Sequence, residues 1–171
     1  MGSRFLVHII SFVAYVLVQG LVLQNAVLFD KAFCLLYVAF LLCLPVDLSV
    51  LALLLIGFVT GLSVDIFYDT LGMHASASVL IMFIRNYWLN MITPQGGYDI
   101  GVTPTIKLNG AQWFIGYSVP LIFIHHLCLF FIEASAMGLF WFTLVKVLMS
   151  TVFTLVVIMI TQFLFYYKSR R

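Results

Sequence analysis

Five uncharged runs, at residues 5–29, 48–64, 70–84, 108–132 and 147–167, restrict the surroundings in which this chain can fold. Several match or approach the roughly 20 apolar residues that a helix needs to cross a ~30 Å hydrocarbon core. Charged residues make up 8% of the 171 positions and hydrophobic ones 64%, against about 25% charged in a typical soluble domain. The expected fold class is an all-α integral membrane protein. A single multi-pass domain fills residues 1–171, with no sizeable water-soluble part between the spans.

Six helices account for the sequence, near 5–24, 27–44, 48–66, 72–91, 112–132 and 139–166. The first reads as an uncleaved span, because its apolar region is much longer than that of a signal peptide. Asp30 and Lys31 narrow the clean apolar part of the second to residues 32–44, and Pro45 ends it by removing a backbone donor. Pro120 predicts a kink in the fifth. One connection is long: residues 92–111, rich in glycine and proline, form a turn-rich loop. Its Tyr98, Ile100, Val102 and Ile106 are too apolar for a disordered tract. They predict an ordered contact, made either to partners or back onto the protein.

Cys34, Cys43 and Cys128 lie inside apolar runs without a CxxC pattern and read as buried inert thiols. A net charge of +2 does not suggest nucleic acid, so the position of each charge carries the information. Arg4, Lys168, Arg170 and Arg171 lie at the termini, on the side that also receives Lys107. The opposite side holds Lys31 among Asp30, Asp65, Asp69 and Glu133. The positive-inside rule then makes both termini cytoplasmic and turns the acidic connection around Asp65–His74 outwards.

That connection is where a function should be sought, since ionisable groups at the edge of hydrocarbon are costly. Gly57 and Gly61 form a small-xxx-small pattern, and Asp65 and Asp69 continue the same spacing. The stripe reads either as a seam for a partner helix or as packing within the chain. Gly72 and His74 follow in the turn. Asp65, Asp69 and His74 lack a second acidic cluster or a phosphate cradle, so no metal or other cofactor is expected.

No catalytic group is expected either. Ser63 lacks a nucleophile elbow. His125 and His126 point about 100° apart on one helix and cannot share an ion. His126 and Glu133 share a face, where helix packing competes with a proton relay.

Two basic residues lie within spans. Arg85, followed by Asn86, Tyr87 and Trp88, suits a cytoplasmic interface reached by a snorkelling side chain. Lys146 is the only charge between Glu133 and Lys168 and lies ~10 Å below the outer end of its helix. A lysine facing lipid at the bilayer centre costs roughly 2.5–3.5 kcal/mol. Lys146 is therefore expected to pair with Asp65 or to snorkel outwards.

Residues 56–67, IGFVTGLSVDIF, and 69–77, DTLGMHASA, resemble the rod shape-determining protein MreD family. LeuProValAsp at 44–47, pieces of the 92–111 loop, and IHHLCLFFIEA at 124–134 extend the resemblance over nearly the whole chain. Asn86 departs from it, because a proline is expected after the arginine. The resemblance implies a non-enzymatic scaffold subunit of the cell-elongation machinery in the bacterial cytoplasmic membrane. Its implied partners are an MreC-like bitopic protein, a RodA-like glycosyltransferase with its transpeptidase and, indirectly, MreB filaments. It also implies a fold like the six-helix substrate-binding subunits of energy-coupling-factor transporters. A small-molecule-binding transporter subunit is the competing expectation. It would use cavity groups among His125, His126, Asp65, Tyr15 and Tyr117.

Overall fold

The computed structural model describes residues 2–134 and 140–168. The first helix, α1 (Gly2–Val18), runs into a π-helical turn at Gln19–Leu23. Two short strands follow, β1 (Val27–Leu28) and β2 (Ala32–Phe33), and then a six-residue helix α2 (Tyr37–Leu42). The remainder is helical: α3 (Val50–Tyr68), α4 (Met73–Met91), α5 (Ile106–Ala134) and α6 (Phe140–Lys168). Among the described residues, the stretches Leu6–Leu23, Val50–Tyr68, Gly110–Ala134 and Phe140–Leu164 are long and apolar enough to cross a membrane. The chain is a predominantly helical, multi-pass membrane protein.

Burial assigns the faces that hydropathy leaves undefined. On α3 the exposed positions include Leu51, Leu55, Phe58, Leu62 and Ile66, one apolar stripe at helical spacing. Its buried positions are Leu53, Gly57, Thr60, Gly61, Val64 and Asp65, small or polar for the most part. On α6 the inner face carries Thr143, Ser150, Thr151 and Thr154, while Trp141, Val145, Leu148, Val152 and Val156 face outwards. This is the pattern expected where lipid is as apolar as leucine, so that small and hydroxyl side chains gain most from helix contacts.

The sequence reading of 27–44 as one helix is corrected by the structure. Asp30 and Phe29 both adopt left-handed backbone (φ 57° and 54°) and turn the chain between β1 and β2. From Ala32 the chain enters the core in extended form and becomes helical only at Tyr37. Residues 34–42 are all buried, so α2 forms the centre of the bundle. Extended backbone in such a place has unpaired donors and acceptors, which the surrounding protein must satisfy. Here side chains do so. Ser150 Oγ accepts from Phe33 N at 2.9 Å, and Thr154 Oγ1 accepts from Leu35 N at 3.0 Å. Gln19 Nε2 donates to Cys34 O at 3.0 Å, and Gln19 Oε1 accepts from Tyr37 N at 3.3 Å.

Gln19 thus stitches two backbone groups and also donates to Tyr68 Oη at 2.6 Å. Replacing it by leucine keeps the volume but strands these partners in an apolar interior. Each orphaned group costs about 1–3 kcal/mol, so Gln19→Leu is expected to lower stability by roughly 2 kcal/mol. Thermal unfolding in detergent checks this, with the exposed Leu21→Ala as the silent control.

The 92–111 loop packs back onto the chain. Val46 N donates to Val102 O at 2.9 Å, and Gly101 N donates to Asp47 Oδ1 at 3.2 Å. Tyr98 Oη donates to Leu89 O at 3.2 Å, and burial raises its hydroxyl above the usual tyrosine range. The helix after the loop begins at Ile106, six residues earlier than the expected 112, and α5 continues through Pro120. The start of the expected sixth helix at residue 139, and the tail cations Arg170 and Arg171, lie outside the described residues.

Candidate functional site

The acidic connection joins α3 to α4 by the short turn Asp69–Gly72. Asp69 takes a left-handed conformation (φ 53°) at the end of α3, and Gly72 does the same (φ 81°) before α4. This reversal lays the two helices antiparallel. A Cβ on Gly61 would collide with the backbone at His74 and Ala75, and one on Gly57 would sit 2.8 Å from Met82 Cγ. The small-residue stripe is therefore filled by α4 of the same chain. The expectation that this seam receives a partner helix does not fit that packing.

Asp65 closes the hairpin. Its Oδ1 accepts from His74 N at 3.0 Å, and its Oδ2 accepts from Ala75 N at 3.0 Å. These are among the first donors of α4, which a helix leaves without internal partners. A carboxylate there also faces the positive end of the helix dipole. Thr70 Oγ1 donates to Asp65 Oδ1 at 2.5 Å, and His74 Nδ1 lies 3.1 Å from the same oxygen. Asp65 is 2% exposed and His74 4%. The motif GlyLeuSerValAsp…LeuGlyMetHisAla thus encodes a helical hairpin with a buried carboxylate clasp. Asp69, the second carboxylate, is exposed and lies outside it.

Arg85 overturns its expected place at the interface. It is fully buried. Its Nε donates to Tyr117 Oη at 2.9 Å, its Nη2 to Leu44 O, and its Nη1 reaches Pro45 O at 3.5 Å. Tyr117 Oη in turn donates to Leu42 O at 2.9 Å. The guanidinium and the phenol close the carbonyl end of α2, where the dipole favours a cation. These three partners are neutral oxygens.

Lys146 does not pair with Asp65, the carboxylate expected from its depth. Its Nζ sits 2.6 Å from Glu133 Oε2, the antiparallel neighbour on α5. It also lies over the rings of Phe33 and Phe130, at 4.5 and 4.3 Å from their centroids. The lysine is 15% exposed and the glutamate 49%. Half-exposed ion pairs contribute about 0–1 kcal/mol, so Lys146→Met is expected to cost no more than that beyond its packing. Combined with Asp65→Asn, the losses should add within about 0.5 kcal/mol. A double-mutant cycle by thermal unfolding checks it.

Between these features runs a buried polar chain that the sequence did not disclose. Tyr37 Oη lies 2.7 Å from His125 Nε2, and Ser78 Oγ approaches the same hydroxyl at 3.5 Å. His126 bonds Ile122 O at 2.8 Å through Nδ1 and meets Thr154 Oγ1 at 3.2 Å through Nε2. His126 and Glu133 therefore go to different partners. His125 Nδ1 has no hydrogen-bond partner among the described residues. The histidine pair was visible in the sequence; Tyr37, Gln19 and Thr154 resembled ordinary span residues.

No protein-family model, curated protein or solved structure shows significant similarity to this chain.

Proposed function

We propose that this chain is a scaffold subunit of the bacterial cell-elongation machinery, similar to MreD and without chemistry of its own. The observation that carries the reading is the use made of the residues behind the resemblance. Gly57, Gly61, Asp65, Gly72 and His74 all go into one rigid hairpin, and Arg85 into fixing the central segment. Such a framework holds its outer faces in a fixed relation, which is what a scaffold requires. The outward apolar faces of α1, α3 and α6 are then the surfaces left for lipid and for partner helices. The partners in this reading are an MreC-like bitopic protein and a RodA-like glycosyltransferase with its transpeptidase, and MreB filaments indirectly.

The finer architecture belongs to the same proposal. Here α4 crosses the bilayer beside α3, the 27–44 segment counts as the second of six spans, and the fold is similar to energy-coupling-factor binding subunits. The bacterial cytoplasmic membrane is the site, with both termini cytoplasmic. A reporter fused after Arg171 is then expected to be active only in its cytoplasmic form, and export-dependent activity contradicts the orientation.

The transporter reading has less to support it. Of its cavity groups, His125, His126, Asp65 and Tyr117 are all buried, while Tyr15 borders an open cavity. Co-expression with an MreC-like partner and affinity purification tests the scaffold. A stoichiometric complex is expected. Absence of the complex, together with a vitamin-like ligand retained through detergent and detected by mass spectrometry, overturns it.

A further inference from the structure

The proline of α5 frees a polar group on the outside of the bundle. Pro120 lies inside the helix and has no N–H, so the carbonyl four residues earlier, that of Gly116, loses its helix bond. Within hydrocarbon such a group must find its donor in protein, because lipid tails offer none. The next carbonyl, Tyr117 O, has a side-chain donor in Trp88 Nε1 at 3.1 Å. Among the described residues no side chain donates to Gly116 O.

The exposure of α5 marks the same place. From Leu121 to Phe130 every residue is buried or half-buried, whereas Gln112, Ile115 and Gly116 are exposed. A Cβ on Gly116 would meet nothing within 4 Å, unlike Gly57 and Gly61, whose space α4 fills. The helix therefore has an open notch beside the freed carbonyl. Gly116 lies about 9 Å, at a 1.5 Å rise, past the start of the apolar stretch Gly110–Ala134. Helix carbonyls point towards the carboxyl end, so this one is aimed deeper into the hydrocarbon. The headgroups and water of the nearer membrane surface lie behind it.

We propose that the Gly116–Pro120 face of α5 docks a membrane-spanning helix of a partner protein, one that sets a serine or threonine hydroxyl against Gly116 O and a small residue into the notch. The hydroxyl follows from the acceptor: side-chain donors are what re-satisfy a backbone group freed by proline in a membrane. The small residue follows from the bare glycine, which lets two helix backbones approach closely. An acyl chain could fill the notch but would leave the carbonyl unpaired. A second copy across a two-fold axis would set glycine against glycine and acceptor against acceptor. This face is additional to the outward faces of α1, α3 and α6, and it stands or falls without the scaffold reading.

The test uses the full chain in phosphatidylcholine vesicles with a synthetic spanning peptide of about 22 residues. The peptide is built of leucine and alanine, with one threonine and one glycine a helical turn apart at its centre. A control peptide has valine for the threonine, which keeps the shape and removes the hydroxyl. Energy transfer between labels on protein and peptide measures association. Wild type is expected to prefer the threonine peptide about fivefold. Pro120→Ala gives Gly116 O its helix donor and should bring the two peptides to parity, with thermal unfolding no lower than that of wild type. Gly116→Leu, at an exposed position with open space around it, should leave unfolding unchanged and weaken both peptides. Equal binding of the two peptides by wild type overturns the proposal. So does a preference that survives Pro120→Ala, or binding indifferent to Gly116→Leu. If Pro120→Ala fails to fold, the wild-type preference and Gly116→Leu decide alone. Displacement of the peptide by an unlabelled second copy assigns the face to self-association, and absence of association leaves it to lipid; either result overturns the proposal too.

Discussion

Asp65→Ala is expected to be among the most damaging single changes in this chain, lowering stability by about 3–5 kcal/mol. The carboxylate receives hydrogen bonds from His74 N, Ala75 N and Thr70 Oγ1, and it faces the His74 ring. Alanine removes every acceptor at once and leaves two buried helix donors unsatisfied, at about 1–3 kcal/mol each. Asp65→Asn tests how much of this is charge. Its remaining oxygen can serve one of the two backbone donors, while its amide N–H₂ points at another donor, so roughly half the loss is expected. Asp69→Ala, at an exposed residue of the same turn, should be tolerated apart from its strained φ. Thermal unfolding in detergent, with protease resistance of the α3–α4 turn as a second readout, checks the order Ala below Asn below wild type. Equal stability of all three would mean that the hairpin closes without its clasp. Lys146→Met should leave this order unchanged, because the lysine is held by Glu133.

The membrane class and most helix positions were legible because hydropathy alone records them. The turn between α3 and α4 was legible as well, since Asp65, Asp69 and Gly72 interrupt two apolar runs, and Gly57 and Gly61 marked a close approach without naming the neighbour. What hydropathy could not convey was direction. The glycine stripe of α3 suits a partner helix as well as a neighbour in the same chain, and the burial of Gly57 and Gly61 against α4 shows that the seam turns inwards. The region from Ala32 to Leu44 misled for a related reason. A fully buried extended segment and a lipid-facing helix present the same run of leucine, valine and phenylalanine. The features that separate them lie far away in sequence, in Gln19, Ser150 and Thr154, whose side chains replace the hydrogen bonds that a helix would have made. Arg85 was assigned to the interface because a basic residue near aromatics usually snorkels. Its true partners, the carbonyls ending α2, arise only from tertiary packing. Lys146 had a carboxylate available at similar depth on another helix, but the antiparallel α5–α6 pair brought Glu133 closer.

Arg85 gives the second large effect. Arg85→Met should destabilise the chain by about 3–5 kcal/mol, the range for breaking buried charged networks. The size comes from what is left behind. Leu44 O and Pro45 O lose their donors, and Tyr117 Oη loses the bond from Nε while keeping the one that it donates to Leu42 O. Methionine fills the space, so loss of packing contributes little and the deficit reports the polar groups. Arg85→Lys separates charge from geometry. An ammonium keeps the attraction to the carbonyl end of α2, but it cannot present the planar fork that reaches a phenol and two carbonyls together. An intermediate loss of about 2 kcal/mol is expected. Tyr117→Phe, which removes the bridge from Arg85 to Leu42 O, should cost about 1–3 kcal/mol and be less than additive with Arg85→Met, because the two groups share one network. Unfolding of wild type, the three single variants and the Arg85→Met/Tyr117→Phe double variant, measured in one detergent, decides it. Full additivity would place Arg85 and Tyr117 in separate roles, and a silent Arg85→Met would show that α2 holds its place in the core by packing alone.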